Sequence, residues 1–209
     1  MRINILMLNQ DDPKKCTAAK LIRFRLAKNV TGVRPKTILL NPFSQKTLLN
    51  QEKTNIQSIT GVDCSWKKAE KIFQKKIFGI PRKLPPLLAG NPVNYSKINK
   101  LTTAEALAAS AFIIGKEEMC FDLLAKFNWG HTFLELNENL LKDYQKAKSE
   151  DDEDYHAMII HTNGVEDEML DHQKHAKKNK LSLEDISCLL YTSDAADDTP
   201  CVDLGGRRI

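Results

Sequence analysis

Residues 84–106 read LPPLLAGNPVNYSKINKLTTAEA, and this stretch decides how the chain is interpreted. A proline-rich apolar turn leads to residues 91–95 (NPVNY), and a helix-capping sequence follows. The centre of the stretch has little polar side-chain chemistry but many residues that shape the backbone. Such a segment can present main-chain N–H and C=O groups to a ligand, which is how an adenine or a methionine moiety can be held.

The bulk composition is that of a globular protein. The chain has 209 residues, 42% of them hydrophobic, which suits one domain or one domain with a small helical lobe. No apolar run approaches the roughly 18 residues that cross a bilayer, so we expect no membrane segment. The five cysteines are scattered, without Cys-x-x-Cys spacing, so we predict neither a metal site nor disulfides. A reduced, cytoplasmic location follows as an expectation.

Charge is distributed unevenly along the chain. Residues 1–148 contain 25 Lys and Arg against 12 Asp and Glu, a net charge of +13. Residues 149–187 contain 4 against 11, a net charge of −7. A basic body of this kind is what binding to a phosphate backbone requires, although a lysine-rich solvated surface gives the same composition.

Hydrophobic periodicity predicts an α/β fold. Strands are predicted at residues 3–8, 36–40 and 57–63, and helices at 17–28 and 67–78. This alternation favours parallel strands. From Thr102 onward the pattern is helical, with helices predicted at 104–115, 117–127 and 134–148 and a capping-box spacing between Thr102 and Glu105. We therefore expect an α/β domain over residues 1–92 and a helical lobe over 93–148.

The last part of the chain has a different character. Residues 149–187 are acidic and contain four histidines, and we predict a partly helical tail there. His172 and His175 have a spacing that could hold a metal, but a solvated helix is the preferred interpretation. Residues 188–209 have no periodicity and resemble translated sequencing-adapter sequence, so we interpret them as non-native.

Asp63 and Trp66 give the sharpest chemical signal. An acidic residue at the end of a predicted strand, followed by a turn and a Trp, can meet a cationic ligand, because a carboxylate and an indole face both stabilise a cation. The alternative is that Trp66 fills the core and Asp63 caps the next helix. Thr17 could hold a carboxylate at a helix N-terminus or be an ordinary N-cap. From the residues alone, both interpretations remain open.

Four further segments, taken together with residues 84–106, resemble one family. They are residues 11–17 (DDPKKCT), 40–44 (LNPFS), 62–66 (VDCSW) and 129–133 (WGHTF). In this order they resemble the small-subunit rRNA aminocarboxypropyltransferases, which use S-adenosylmethionine. The resemblance runs from about residue 1 to residue 144. The WGHTF segment itself is interpreted as a turn between two helices.

The resemblance implies roles for particular residues. Asp63 and Trp66 would form the catalytic centre, with Asp63 important for the cofactor and Trp66 beside its methyl group. The implied cofactor-binding residues are Thr17, Val62, Leu84, Asn99 and Thr103. Val62 and Leu84 would offer main-chain groups to ribose and adenine, and Thr17 and Thr103 would bind the methionine end. Position 99 is often Tyr in relatives and is Asn here.

The resemblance also implies a fold and a substrate. The fold would be a SPOUT-like α/β domain with a trefoil knot through residues 84–103, followed by the helical lobe, in a monomer. The group transferred would be 3-amino-3-carboxypropyl, placed on N3 of an N1-methylpseudouridine in small-subunit rRNA or a pre-ribosomal small subunit. The candidate RNA-binding residues are Lys14, Lys15, Lys20, Arg23, Arg25, Lys53, Arg82 and Lys83, expected in loops around the pocket.

Two other functions fit the same residues. One is an RNA methyltransferase of SPOUT type that uses the same cofactor. The other is a non-catalytic ribosome-assembly factor that binds rRNA through its basic body. The general base is not assigned by the sequence, because Asp63 is the one carboxylate that the motifs nominate and its role could be electrostatic.

Overall fold

A parallel sheet of five short strands forms the centre of the computed structural model, which describes residues 1–10, 16–54 and 56–149. The strand order is β2-β1-β4-β3-β5, and each neighbouring pair is parallel. The predicted α/β class with parallel strands is therefore confirmed. The strands are β1 (Arg2–Met7), β2 (Lys28–Val30), β3 (Thr37–Leu40), β4 (Ser58–Asp63) and β5 (Ile80–Arg82).

The two edge strands, β2 and β5, were missed by the sequence prediction, whereas β1, β3 and β4 were located to within a residue. Each edge strand has only three residues, too few for an alternating pattern to be recognised. Strand β5 contains Pro81, which lacks a backbone N–H and is tolerated in a strand at the edge of a sheet.

Five α-helices accompany the sheet in the described residues. They are α1 (Thr17–Arg23), α2 (Trp66–Phe73), α3 (Thr103–Ile113), α4 (Glu117–Leu124) and α5 (Gly130–Lys146), and a short 3-10 helix covers Asn50–Thr54. None of these helices is long and apolar enough to cross a membrane.

Several predicted helix boundaries were wrong. Helix α1 ends at Arg23 rather than at Lys28, because Arg25 adopts a left-handed conformation with φ of 60° and the chain turns into β2. Helices α2 and α4 are also shorter than predicted. The WGHTF segment is not simply a turn, since Gly130 already begins α5. A Cβ atom at Gly130 would lie 2.2 Å from the Leu124 carbonyl oxygen, so only glycine allows this approach of α4 to α5.

Helix α3 occupies the interior of the molecule. Its alanine-rich residues are buried on every side, and it packs against β4, α1, α4 and α5. The predicted capping box is present, because the Thr102 hydroxyl accepts from the Glu105 N–H and the Glu105 carboxylate accepts from the Thr102 N–H. Gly115 follows the helix with φ of +78°, as expected for a glycine C-cap.

The segment between β5 and α3 is held by helices that come later in the chain. Asn137 of α5 accepts from the Leu88 N–H and donates to the Leu88 carbonyl, both at 2.8 Å, and the Tyr144 hydroxyl donates to the Pro86 carbonyl at 3.0 Å. Gly90 lies against Phe133, where a Cβ atom would be 2.5 Å from the Phe133 nitrogen. The segment is therefore fixed by side chains although it has no regular secondary structure.

Some predictions fall outside the described residues. These are the acidic tail over 149–187, except for its first residue, with its four histidines and predicted helices, and the whole of the segment over 188–209. The domain boundaries at residues 92 and 148 remain predictions.

Candidate active site at the carboxyl ends of the strands

A cavity of about 650 Å³ lies where β3, β4 and β5 end. Its walls come from the ends of these strands, from the first residues of α1, α2 and α3, and from the segment 84–101. Ligands of open α/β sheets bind outside the carboxyl ends of the strands, and this volume falls in the range of cofactor pockets. The fold therefore offers a ligand site at this edge.

The residues nominated by the sequence for catalysis and cofactor binding meet in this cavity. All seven line it: Thr17, Val62, Asp63, Trp66, Leu84, Asn99 and Thr103. They come from segments as far apart in the chain as the start of α1 and the start of α3.

Asp63 is the last residue of β4 and is only 6% exposed. Its Oδ2 accepts a hydrogen bond from the Cys16 thiol at 3.3 Å, and its Oδ1 accepts from the Thr103 hydroxyl at 3.0 Å. The alternative role as a cap of α2 is wrong, because the N-cap of that helix is Ser65. Asp63 is thus a buried negative charge in the wall of the cavity.

The thiol beside this carboxylate is held in its neutral form. Burial of Cys16, and then the negative charge of Asp63, raise the pKa of the thiol from its ordinary value of 9.0 to about 11, although a hydrogen bond from the Ala19 N–H acts in the opposite direction. Cys16, not Thr17, is the N-cap of α1, since its Sγ accepts that hydrogen bond. The N-cap interpretation of Thr17 was therefore wrong.

Trp66 is the first residue of α2 and presents its indole to the cavity. It is 38% exposed, so the alternative that it fills the core is wrong. The indole Nε1 donates to the Leu101 carbonyl at 3.2 Å, and the Lys100 Nζ lies 4.7 Å from the ring centroid. The ring is therefore fixed in orientation and already attracts a cation.

Sequence reasoning missed the wider role of Glu105. This carboxylate is fully buried and accepts, beyond its capping-box partners, from the Gly90 N–H at 2.8 Å, the Asn91 N–H at 2.9 Å and the Asn91 side-chain amide at 2.8 Å. Burial raises the pKa of Glu105, against the effect of these donors. The Thr-x-x-Glu spacing predicted the capping contacts of Glu105 with Thr102. No local signal predicted that the segment between β5 and α3 supplies the other donors, from Gly90 and Asn91.

Asn99 adopts a left-handed conformation with φ of 57°. Asparagine tolerates this region better than most residues. Its N–H donates to the Leu87 carbonyl at 3.0 Å, so the backbone at this position is anchored within the loop.

The candidate RNA-binding residues divide into three groups. Arg82 and Lys83 line the cavity, as does Lys67, which the sequence analysis did not nominate, and Arg82 forms an ion pair with Glu52. The remaining described candidates do not line the cavity: Lys20, Arg23 and Arg25 lie in or just after α1, and Lys53 lies in the 3-10 helix. Lys14 and Lys15 lie outside the described residues.

Comparison with known proteins identifies the family. Residues 38–158 match the family model described as "Ribosome biogenesis protein, C-terminal". The 16S rRNA aminocarboxypropyltransferase of Methanococcoides burtonii is 42% identical over 151 residues, which are 70% of this chain and 87% of that protein. The chain belongs to the 16S rRNA aminocarboxypropyltransferase family. The family resemblance stated from the sequence motifs is thereby confirmed.

Other family members agree. The 16S rRNA aminocarboxypropyltransferase of Saccharolobus solfataricus is 40% identical over 153 residues, covering 72% of this chain and 91% of that protein. The solved structure of the SAM-dependent rRNA:acp-transferase Tsr3 from Vulcanisaeta distributa has a TM-score of 0.67 and 30% identity, covering 79% of this chain and 98% of that one.

A second family model matches residues 1–31 and is described as "Possible Fer4-like domain in RNase L inhibitor, RLI". Iron–sulfur clusters of the ferredoxin type are held by four cysteine thiolates, whereas this segment contains only Cys16. Across the described residues, no group of three or more His, Cys, Asp or Glu side chains is placed to hold a metal ion. The residues present do not fit such a cluster.

S-adenosylmethionine, in contrast, fits the cavity. The ligand is a sulfonium cation with an adenine, and the cavity offers a buried carboxylate, an indole face and main-chain groups at strand ends. Further polar groups in the lining come from Cys64 and Lys67. The size of the cavity and the presence of a carboxylate and an indole in its wall therefore agree with this family's donor.

Proposed function

We propose that this protein transfers the 3-amino-3-carboxypropyl group of S-adenosylmethionine to N3 of an N1-methylpseudouridine in small-subunit rRNA. Family membership supports the aminocarboxypropyl transfer and the S-adenosylmethionine donor. The observation that carries the proposal is the meeting of Asp63, Trp66 and Thr103 in one cavity at the end of β4. The precise acceptor atom is inferred from the family resemblance.

In this proposal the sulfonium lies between the Asp63 carboxylate and the Trp66 indole. A desolvated cation–π contact contributes on the order of 2 kcal/mol, and a nearby carboxylate adds an attraction that low solvent exposure strengthens. Lys100, which contacts the indole, would share that ring or leave it when the donor binds.

Thr103 is suited to the ammonium of the methionine moiety. Its hydroxyl donates its only proton to Asp63, so toward a ligand it can act only as a hydrogen-bond acceptor. Thr17 lies on the α1 side of the same cavity. Val62 and Leu84 would offer main-chain groups to ribose and adenine, and Asn99 would contribute its backbone, which tolerates the change from the Tyr of relatives.

The reaction is a nucleophilic displacement at the γ-carbon of the methionine chain. N3 forms a bond to this carbon, the carbon–sulfur bond breaks, and 5′-methylthioadenosine leaves as a neutral thioether. The N3 proton is released, so the positive charge of the sulfonium leaves as that proton. Positioning of N3 behind the carbon–sulfur bond supplies much of the rate, since proximity alone can contribute several kcal/mol.

Asp63 is best assigned an electrostatic role in this reaction. Both of its oxygens already accept hydrogen bonds from Cys16 and Thr103, so the carboxylate is oriented rather than free to collect a proton. Glu105 does not line the cavity, and its carboxylate is engaged with the loop. The proposal therefore leaves the N3 proton to solvent or to the RNA.

The knot, the cellular location, the oligomeric state and the RNA partner are also proposals. We infer that the segment 84–103 passes through a SPOUT-like trefoil knot, on the support of the family resemblance and of its anchoring by α3 and α5. We likewise infer a cytoplasmic monomer that acts on rRNA or on a pre-ribosomal small subunit through basic residues such as Arg82 and Lys83.

The experiment that tests the function uses two forms of S-adenosylmethionine, labelled in the carboxypropyl chain or in the methyl group, with small-subunit rRNA as acceptor. Label that enters RNA from the chain alone is expected. Label from the methyl group alone would instead establish the methyltransferase alternative. Binding of RNA without binding of S-adenosylmethionine would favour an assembly factor.

A further inference from the structure

A second cavity, of about 310 Å³, lies at the junction of α4 and α5. It shares no lining residue with the candidate active site. Its walls are mostly apolar and include Phe121, which is 48% exposed, and the exposed His131. We call this region the α4–α5 cavity, and its size and flat aromatic walls suit one nucleobase.

Contacts between aromatic rings hold the walls of this cavity in place. The Phe127 ring, which lines it, contacts the Trp129 ring with centroids 4.9 Å apart. The Phe121 ring packs edge-on against Phe112, with centroids 6.4 Å apart and an interplanar angle of 83°. Phe112 is a core residue, so one wall is anchored in the interior while its outer side stays exposed.

Cations border the cavity on the side of α1. The Lys20 Nζ lies 4.7 Å from the Phe127 ring centroid. Lys126, between two lining residues, places its Nζ 5.7 Å from the ring of Phe24, which is itself 46% exposed. The Arg23 guanidinium lies 5.5 Å from the same Phe24 ring.

Charge decides which partner this surface suits. Exposed acids also occur here, since Asp122 follows Phe121 and Glu135 follows Leu134, but the side that faces α1 carries Lys20, Arg23 and Lys126. Cores of protein–protein interfaces are depleted in lysine. Single-stranded nucleic acid sites, in contrast, combine aromatic platforms with basic residues that contact the backbone.

We propose that the α4–α5 cavity binds an unpaired nucleotide of the rRNA substrate, at a position distinct from the base that is modified. The base would stack on Phe121, and the adjoining phosphates would contact Lys126 and Arg23. This inference rests on the proposed function, because it takes rRNA as the partner. Binding of this nucleotide would fix the register of the RNA while the acceptor base reaches the active site.

The test compares binding of a fluorescein-labelled 16S rRNA stem-loop that contains the acceptor uridine. Lys126→Ala and Phe121→Leu are the test variants, and the leucine keeps an apolar group against Phe112. Lys116→Ala is the matched control, since Lys116 is an exposed lysine at the opposite end of α4. Phe78→Ala, at a 71% exposed phenylalanine elsewhere, controls for loss of an aromatic ring.

Phe121→Leu is expected to bind the stem-loop about tenfold more weakly, the order of effect of one lost base–aromatic stack, and Lys126→Ala is expected to bind it more weakly through the loss of a phosphate contact. Lys126→Ala should also reduce the slope of log affinity against log salt by about 1, the loss of one phosphate contact, whereas Lys116→Ala should not. Binding of S-adenosylmethionine, measured by calorimetry, should be unchanged in all four variants.

A cross-linking measurement identifies the contact directly. RNA substituted with 4-thiouridine should cross-link to peptides containing Phe121 or His131, as read by mass spectrometry. Unchanged RNA affinity in both test variants, or cross-links confined to other surfaces, would overturn the inference and favour a protein partner. Absence of label transfer from S-adenosylmethionine by the unaltered protein would instead contradict the proposed function. RNA affinity is measured independently of this transfer, so the two failures can be told apart.

Discussion

The Cys16 thiol donates a hydrogen bond to the Asp63 carboxylate, with 3.3 Å between Sγ and Oδ2, and so connects the start of α1 to the end of β4. The same sulfur accepts from the Ala19 N–H, so one atom caps a helix and orients the acid. The start of α1 and the end of β4 are thereby held in a fixed relative position.

Replacement of this thiol tests its positioning role. Cys16→Ala should weaken binding of S-adenosylmethionine about three- to tenfold, because Asp63 loses one of its donors, and a hydrogen bond contributes about 1 kcal/mol. Cys16→Ser, whose hydroxyl can still donate, should restore most of the affinity. Calorimetric titration measures both, and equal affinities for the alanine and serine variants would contradict the role.

Asp63→Asn should reduce affinity for S-adenosylmethionine by about 10- to 100-fold, because the amide keeps the shape but removes the charge that faces the sulfonium. Asp122→Asn, at an exposed acid of α4, is the matched control and should bind normally. The same titration with S-adenosylhomocysteine, which lacks the positive charge, should show a smaller effect of Asp63→Asn. A loss of equal size for both ligands would argue against an electrostatic role.

Glu105→Gln should destabilise the fold by about 2–4 kcal/mol. The side-chain amide would face donors from Asn91 and Thr102, where a carboxylate oxygen now accepts, and buried unpaired donors are costly. Glu118→Gln, at an exposed acid in the first turn of α4, controls for the loss of charge. Urea denaturation measures both, and similar midpoints for the two variants would refute the arrangement.

Gly90→Ala should destabilise the protein by about 3 kcal/mol, because a methyl group there would overlap the backbone of Phe133 and overpacking forces the chain to move. Gly32→Ala is the matched control, since no atom lies within 4 Å of its added Cβ. The control should change stability little. Thermal unfolding of the two variants should separate them by many degrees.

Stability should fall as pH rises through the range in which Cys16 titrates. Burial raises its pKa from the ordinary 9.0 to about 11, so the folded state keeps a proton that the unfolded chain releases. The stabilising contribution is complete below pH 9 and is lost as pH rises toward 11. Between these values, the melting temperature of Cys16→Ser should fall less than that of the parent. Parallel curves would show that Cys16 titrates normally.

Sequence motifs, read with the family resemblance they carry, predicted which residues line the cavity better than they predicted the residues that support it. Asp63 and Trp66 are recognisable because a strand, a turn and a helix start follow one another within a few residues. Asn137 carried no such signal, because its partner Leu88 is 49 residues away and the pairing depends on tertiary packing. Tertiary packing likewise hid the Gly90 N–H donor of Glu105, which lies 15 residues away, whereas the helix-capping partner three residues away was found.

Edge strands illustrate a different limit. Strand β2 begins at Lys28, where the predicted helix ended, and the left-handed backbone at Arg25 is what turns the chain between α1 and β2. Strand β5 is stabilised by pairing with β3 rather than by its own propensity, since it contains a proline. Neither strand could be recognised without the neighbour that forms it.

The anchoring of the loop by α5 imposes an order in time. Asn137 and Tyr144 emerge from a ribosome 49 and 58 residues after the loop positions that they hold. At about 5–20 residues per second, the loop is exposed for several seconds before these anchors are synthesised. The walls formed by Asn91 and Asn99 therefore gain these anchors only after Tyr144 has been synthesised. A nascent chain that ends before Tyr144 consequently lacks part of the support of its cofactor-site wall.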